Sequence, residues 1–178
     1  GTAIVLDYYL DLDGDGIELI SLEDSTAFFD LDADGFREHT GWVQADDALL
    51  AIDSNNNGKI DDINEVFGNG TTDGFVELST LDSNNDGKIT FLDTEFSNLL
   101  LWQDVDGNGQ SEASELSSLA SQNISHIFLN ATTTSQFLEG NEIRSESQFT
   151  QNGTLQDIKD VWFANNQSTG RRVYVGRV

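Results

Sequence analysis

Apolar residues in this chain arrive in short clusters, and long polar loops separate them. Residues 3–10, AIVLDYYL, are rich in branched and aromatic side chains and predict a strand. In residues 42–52, WVQADDALLAI, Trp42, Ala45, Leu49 and Ile52 fall near one face, which predicts a short amphipathic helix. Residues 91–102, FLDTEFSNLLLW, place Phe96, Leu99 and Leu100 on a face and predict a second helix. A third, SELSSLASQ, is expected over 114–122. Beyond residue 122 the pattern changes. ISHIFLNA reads as a strand, and NEIRSESQFT and TLQDIKDVWF read as a hairpin across Gln151-Asn152-Gly153, with Asn-Gly as the turn signal. NNQSTG then reads as a linker, and the closing RRVYVGRV as an edge strand or the start of another module.

The polar loops between these clusters share a frame. Asp104, Asp106 and Asn108 stand at positions 1, 3 and 5 of a twelve-residue loop, with Gly109 at 6, Gln110 at 7, Glu112 at 9 and Glu115 at 12. This is the EF-hand ligand pattern. Its spacing follows from the ion: Ca²⁺ takes six to eight hard oxygens at roughly 2.3–2.6 Å, so alternate residues of a curled loop must supply them.

Four earlier loops repeat the frame less completely. Asp11, Asp13, Asp15 and Gly16 open the first, with no acid at position 12, so Glu18 or an acid from elsewhere is expected to close it. Asp30, Asp32, Asp34 and Gly35 open the second, where Asp46 or Asp47 downstream is the candidate for closure. Asp53, Asn55, Asn57, Gly58 and Asp61 make the third, and its acid, Glu65, comes one residue late. Asp82, Asn84, Asp86, Gly87 and a position-12 Asp93 make the fourth. Phe36, Lys59, Lys88 and Gln110, at position 7, offer a backbone carbonyl. Ile60 and Ile89, at position 8, are expected as apolar plugs.

The expected fold is therefore α+β: EF-hand-like calcium loops with short helices, then a C-terminal antiparallel β-hairpin or sheet. One module is expected over 1–165, with a calcium-loop region at 1–122 and a β region at 123–165. Residues 166–178 are expected as linker or terminal edge strand. The implied cofactor is Ca²⁺, up to about five ions.

Charge sharpens this picture. The formal net charge is −24, and residues 1–115 hold 27 of the 32 acids against Arg37, Lys59 and Lys88 alone. Residues 116–178 balance five acids with five bases. Such a chain repels phosphate backbones, which excludes nucleic acid as a partner. With no Cys and two His, a zinc centre would have to be built from carboxylates. No GxSxG marks a serine hydrolase. No apolar run of about 18 residues spans a membrane. A monomer is expected.

LDLDGDGIEL, FDLDADGFREHTGWV, ADDALLAIDSNNNGKIDD, LDSNNDGKIT, LWQDVDGNGQSEASEL and DVWF occur in this order. In that order the chain resembles the self-processing module of large secreted bacterial RTX proteins, of the FrpC type, over residues 3–164. The resemblance implies a secreted bacterial protein, flanking domains as partners and a calcium-dependent fold. It also implies autocatalytic cleavage of an Asp-Pro bond at the N-terminal edge, with capture of the freed aspartyl group by a lysine amine as an isopeptide. This chain has no Pro. Thr2-Ala3 stands at the expected place by one alignment, Asp7-Tyr8 by another, and whether the chain is an enzyme stays open. The alternative is a structural or adhesive calcium-folded module without catalysis. A dockerin-like binder shares the loops but lacks the C-terminal β portion.

Overall fold

A computed structural model describes residues 6–68 and 72–166. It is almost entirely β. The strands are β1 (Leu6–Leu10), β2 (Leu19–Ile20), β3 (Phe28–Phe29), β4 (Glu38–Thr40), β5 (Trp42–Val43), β6 (Ala48–Ile52), β7 (Lys88–Ile89), β8 (Leu99–Trp102), β9 (Leu116–Ser118), β10 (Ile124–Phe128), β11 (Thr132–Leu138), β12 (Asn141–Gln151), β13 (Thr154–Trp162) and β14 (Asn165–Asn166). The one α-helix among the described residues is α1 (Gly74–Ser79). Nine strands form one curled antiparallel half-barrel, in the order β7-β10-β12-β13-β1-β6-β8-β9, with β11 also on β12. β14-β4-β3 and β2-β5 form small separate sheets.

The α+β expectation is thus overturned, and the helices expected to flank the calcium loops are absent. Residues 42–52 form β5 and β6. Residues 91–102 hold a 3-10 turn at Phe96–Asn98 and then β8, and residues 114–122 hold β9 between two 3-10 turns. The cause is burial of the sheet on both faces. Leu49 and Ala51 of β6 enter one apolar cluster, and Ala48 and Leu50 enter the other. In β8, Leu100 and Trp102 face the first cluster while Leu99 and Leu101 face the second. A strand with two apolar faces reads as an unbroken apolar run, and periodicity alone cannot separate that run from a buried helix.

The C-terminal hairpin survives, whereas Asn165 and Asn166, expected to open a linker, pair with β4 as β14. β12 and β13 pair antiparallel from Glu142↔Trp162 to Gln151↔Thr154. Asn152 and Gly153 turn between them with φ of 50° and 77°, as a tight hairpin of twisted strands requires. β10 (Ile124–Phe128) forms over the first five residues of the expected strand at 124–131. β1 lies between β13 and β6, so the first strand is gripped by the hairpin on one side and by the loop region on the other. Residues 1–5 and the RRVYVGRV segment lie outside the described residues.

The first cluster gathers aromatic rings: Trp42 and Trp102 meet edge-on at 5.6 Å, Phe29 lies 5.8 Å from both, and Phe163 packs 5.5 Å from Trp42. The second cluster joins α1 to the sheet through Phe75, Leu78, Tyr8 and Phe149.

Candidate metal centre

All five acidic loops take one shape. Position 4 of each is left-handed: Gly14, Ala33, Asn56, Asn85 and Gly107. Position 6 is left-handed too, from Gly16 at 104° to Gly109 at 74°, a backbone that L side chains rarely adopt. That second twist turns the position-6 N–H onto the position-1 carboxylate. Gly16 donates to Asp11 at 2.9 Å, Gly35 to Asp30 at 2.9 Å, Gly58 to Asp53 at 2.8 Å, Gly87 to Asp82 at 2.9 Å and Gly109 to Asp104 at 2.8 Å. The position-7 N–H donates to the position-5 side chain in four loops: Phe36 to Asp34, Lys59 to Asn57, Lys88 to Asp86 and Gln110 to Asn108.

Each loop is closed by one carboxylate, and in four of them the N–H of position 2 identifies it. Ser54 donates to Glu65 at 3.1 Å, Ser83 to Asp93 at 2.8 Å and Val105 to Glu115 at 3.0 Å. These three acids also take the position-9 N–H, from Asp61, Thr90 and Glu112. The late Glu65 therefore reaches its loop as the fourth and fifth loops' acids reach theirs. In the second loop Leu31 donates to Glu38 at 2.8 Å. In the first, Glu18 N–H donates to Asp47 at 3.1 Å.

Two placements correct the sequence reading. Asp47 stands at the first loop, not the second. Glu38, which was not among the candidates, stands at the second. The missed signal for Glu38 was its position 9, the place Asp61 and Glu112 hold in their loops. Asp47 lies 29 residues beyond Glu18, whose N–H it accepts, and no spacing rule reaches that far. Glu18 is exposed; its N–H, rather than a carboxylate oxygen, is its recorded link to Asp47.

Three groups bring ligand oxygens within 4.8 Å of one another: Asp11, Asp13 and Asp15; Asp30, Asp32 and Glu38; and Asp104, Asp106 and Glu115. In the third loop the Asn55 and Asn57 amides converge on Asp61 at 3.1 and 2.6 Å. In the fourth, Asn84 donates to Asp86 at 3.2 Å.

Cations fit these donors. Every candidate is a hard oxygen, the ligand type that Ca²⁺ and its relatives take. Glu38 and Asp47 are fully buried, and Glu38 Oε1 and Asp47 Oδ1 have no hydrogen-bond partner. Burial first, and then neighbouring carboxylates, push each of them up to about 7. Burial likewise pushes Asp104 up to about 6, against the pull of the Gly109 N–H. In Asp93 the N–H groups of Thr90 and Ser83 outweigh burial and hold the carboxyl low. A buried carboxylate needs a cation, a proton or a full set of donors, and at the first two loops the donors are incomplete.

The fifth loop is tied into the aromatic core. Trp42 Nε1 donates to Asp104 at 2.7 Å, and Trp102 Nε1 donates to Glu115 at 3.2 Å. Phe28 N–H donates to the Asn108 carbonyl at 3.1 Å. A Cβ at Gly109 would come within 2.8 Å of Phe28 N. Ile60 N–H reaches Ser111 Oγ at 2.7 Å, joining the third and fifth loops at their eighth positions. Ile60 and Ile89 are both buried, as apolar plugs should be.

The SPM domain family model matches residues 8–164. The Iron-regulated protein FrpA of Neisseria meningitidis serogroup C is 38% identical over 166 residues, which cover 87% of this chain and 15% of that protein. The chain thus spans a small part of the length of this curated relative. No helix among the described residues is long and apolar enough to cross a membrane.

Proposed function

The chain belongs to the SPM domain family, and we propose that it is a calcium-organised module of a larger, secreted, RTX-type protein. The observation that carries this reading is the shared closure of the loops: five position-1 aspartates accept from five position-6 N–H groups, and in four loops an acid accepts from the position-2 N–H. The proposed ligand sets are Asp11, Asp13, Asp15 and Asp47; Asp30, Asp32, Asp34, Glu38 and Phe36 O; Asp53, Asn55, Asn57, Asp61, Glu65 and Lys59 O; Asp82, Asn84, Asp86, Asp93 and Lys88 O; and Asp104, Asp106, Asn108, Glu115 and Gln110 O.

The ions act on folding. A formal charge of −24 opposes compaction, and five divalent ions offset ten of those charges. Each site adds about 2.7 kcal/mol when free Ca²⁺ stands 100-fold above its dissociation constant. Extracellular modules bind at about 10⁻⁴–10⁻³ M, so low cytosolic Ca²⁺ leaves the chain unfolded and millimolar Ca²⁺ outside the cell folds it. Titrating the chelated chain with Ca²⁺ and following the near-ultraviolet signal of Trp42 and Trp102 tests this. A spectrum that chelator leaves unchanged defeats the reading.

A second reading is cis cleavage at the N-terminal edge, next to β1, which β13 and β6 hold on both sides. In that reaction an Asp carboxylate attacks its own backbone carbonyl. A C–O bond forms, the C–N bond to proline breaks, and the departing amine takes a proton. The folded sheet would contribute positioning. Placing Asp-Pro at Thr2-Ala3 and adding Ca²⁺ should then produce a cleaved mass. An intact mass leaves the structural reading alone.

A further inference from the structure

Outside the motif loops, one cluster of oxygens is buried at the centre of the large sheet. Asp160 of β13 pairs with Tyr8 of β1 on one side and with Ser145 of β12 on the other. Asp160 and Ser145 are 1% and 3% exposed. Asp73, which caps α1 through the Phe75 N–H at 2.8 Å, hangs over this row. Ser145 Oγ lies 3.4 Å from Asp160 Oδ2 and 3.5 Å from Asp73 Oδ2. The Tyr8 hydroxyl lies against Gly74, where an added Cβ would meet it at 2.8 Å. The second carboxylate oxygen, Asp160 Oδ1, has no partner.

We propose that Asp73, Ser145 and Asp160, with the Tyr8 hydroxyl, form a further divalent-cation site for a hard, oxygen-seeking ion such as Ca²⁺. Three facts carry it. Ser145 has one hydroxyl proton and faces two carboxylates, so hydrogen bonding alone satisfies one of them. The separations of 3.4 and 3.5 Å are long for hydrogen bonds between oxygens. They match neighbouring ligands in one coordination shell, where bonds of about 2.4 Å at right angles set oxygens about 3.4 Å apart. And a buried carboxylate with a free oxygen has no cationic side chain to itself. Arg144, whose charge Asp160 feels, is held by Glu142 at 3.0 Å and lies 3.2 Å over the Trp162 ring. Burial, then the charge of Asp73, pushes Asp160 up to about 7, the response of a site that lacks its positive charge. An ion here would join β1, the start of α1, β12 and β13.

Counting Ca²⁺ ions on the 178-residue chain by native mass spectrometry tests the site. Asp160→Asn and Asp73→Asn should each carry one ion fewer than the unaltered chain. Glu139→Gln, an exposed acid in the β11–β12 turn, should carry the full number. Asp73 is exposed and Asn also caps helices, so Asp73→Asn reads the site even where Asp160→Asn fails to fold. An unaltered count in Asp73→Asn overturns the proposal and assigns the cluster a proton instead. Because the motif loops fill independently of these residues, that result leaves the reading of the five loops standing. A chain that takes up no Ca²⁺ at all overturns both.

Discussion

The loop region and the β12–β13 hairpin share one sheet but are built from opposite materials. The hairpin is held by a nine-pair ladder, an Asn-Gly turn and apolar side chains such as Phe149 and Ile158. Two of its carboxylates are paired, Glu142 with Arg144 and Glu146 with Lys159, and Asp160 is its one carboxylate that is buried with an unpartnered oxygen. The loop region concentrates carboxylates that point at one another, and two of them are fully buried with an unpartnered oxygen. The hairpin leaves one such carboxylate, Asp160, while the loop region gathers carboxylates in every loop. Yet an isolated two-stranded hairpin is marginal in water, and β13 leans on β1, which leans on β6. On the proposed function, the cations that the loops take would therefore support the whole sheet.

Chelation is the largest test of that comparison. Removing Ca²⁺ should abolish the near-ultraviolet signal of Trp42 and Trp102 and, at the same midpoint, the amide protection of β12–β13. Coincident loss is what one cooperative unit gives. A hairpin that keeps its protection in chelator would separate the two regions.

Phe149→Ala attacks the other side. Phe149 is fully buried in the second cluster, and truncating a core phenylalanine costs about 3–5 kcal/mol. The loss of denaturant midpoint should appear in saturating Ca²⁺, because no ligand is touched. If the variant's stability were recovered in full by more Ca²⁺, the hairpin core would not be an independent contributor.

What could be read in advance follows the same division. The hairpin was legible because its turn chemistry and alternating faces are local. The shared frame of all five loops was legible because positions 1, 3, 5 and 6 lie within one turn of chain. β6 and β8 were misread as helices because Leu49 and Leu50, or Leu99 and Leu100, are buried on opposite faces of one sheet. Asp47 was assigned to the wrong loop because its partner, the Glu18 N–H, is distant in sequence. Glu38 was missed because the closing acid was sought at position 12. Long-range closure leaves no period for a sequence to display.

Glu38 and Asp47 sharpen the comparison at single sites. Asp47→Asn and Glu38→Gln keep size and lose charge. Each should weaken one ion by about tenfold, or about 1.4 kcal/mol, in a Ca²⁺ titration followed by calorimetry. The remaining sites should titrate as before, apart from the general loss of cooperativity. Glu18→Gln, at the exposed alternative, should have a smaller effect on the first loop. An effect equal to that of Asp47→Asn would return Glu18 to the ligand set.

Mild acid is the smallest and most diagnostic perturbation. In chelator, Glu38 is raised from 4.5 to about 7, and Asp47 from 3.8 to about 7, chiefly by burial. A carboxyl with a raised folded-state pKa binds its proton more tightly in the folded state than in the unfolded one. Between about pH 4 and pH 7 the folded state therefore holds more protons, and its stability falls as pH rises through that window. Lowering the pH of the chelated chain from 7.5 to 5.5 should accordingly restore part of the near-ultraviolet signal, with protons standing where cations belong. In millimolar Ca²⁺ the sign reverses, because protons then compete for the ligands and the folding midpoint in Ca²⁺ rises as pH falls. The hairpin carries no such carboxylate apart from Asp160, so the double variant Glu38→Gln, Asp47→Asn should lose most of the acid recovery. Full recovery in that variant would place the proton-sensitive groups at Asp104 or Asp160, and its loss on adding Asp160→Asn would put them in the hairpin and invert the division between the two regions.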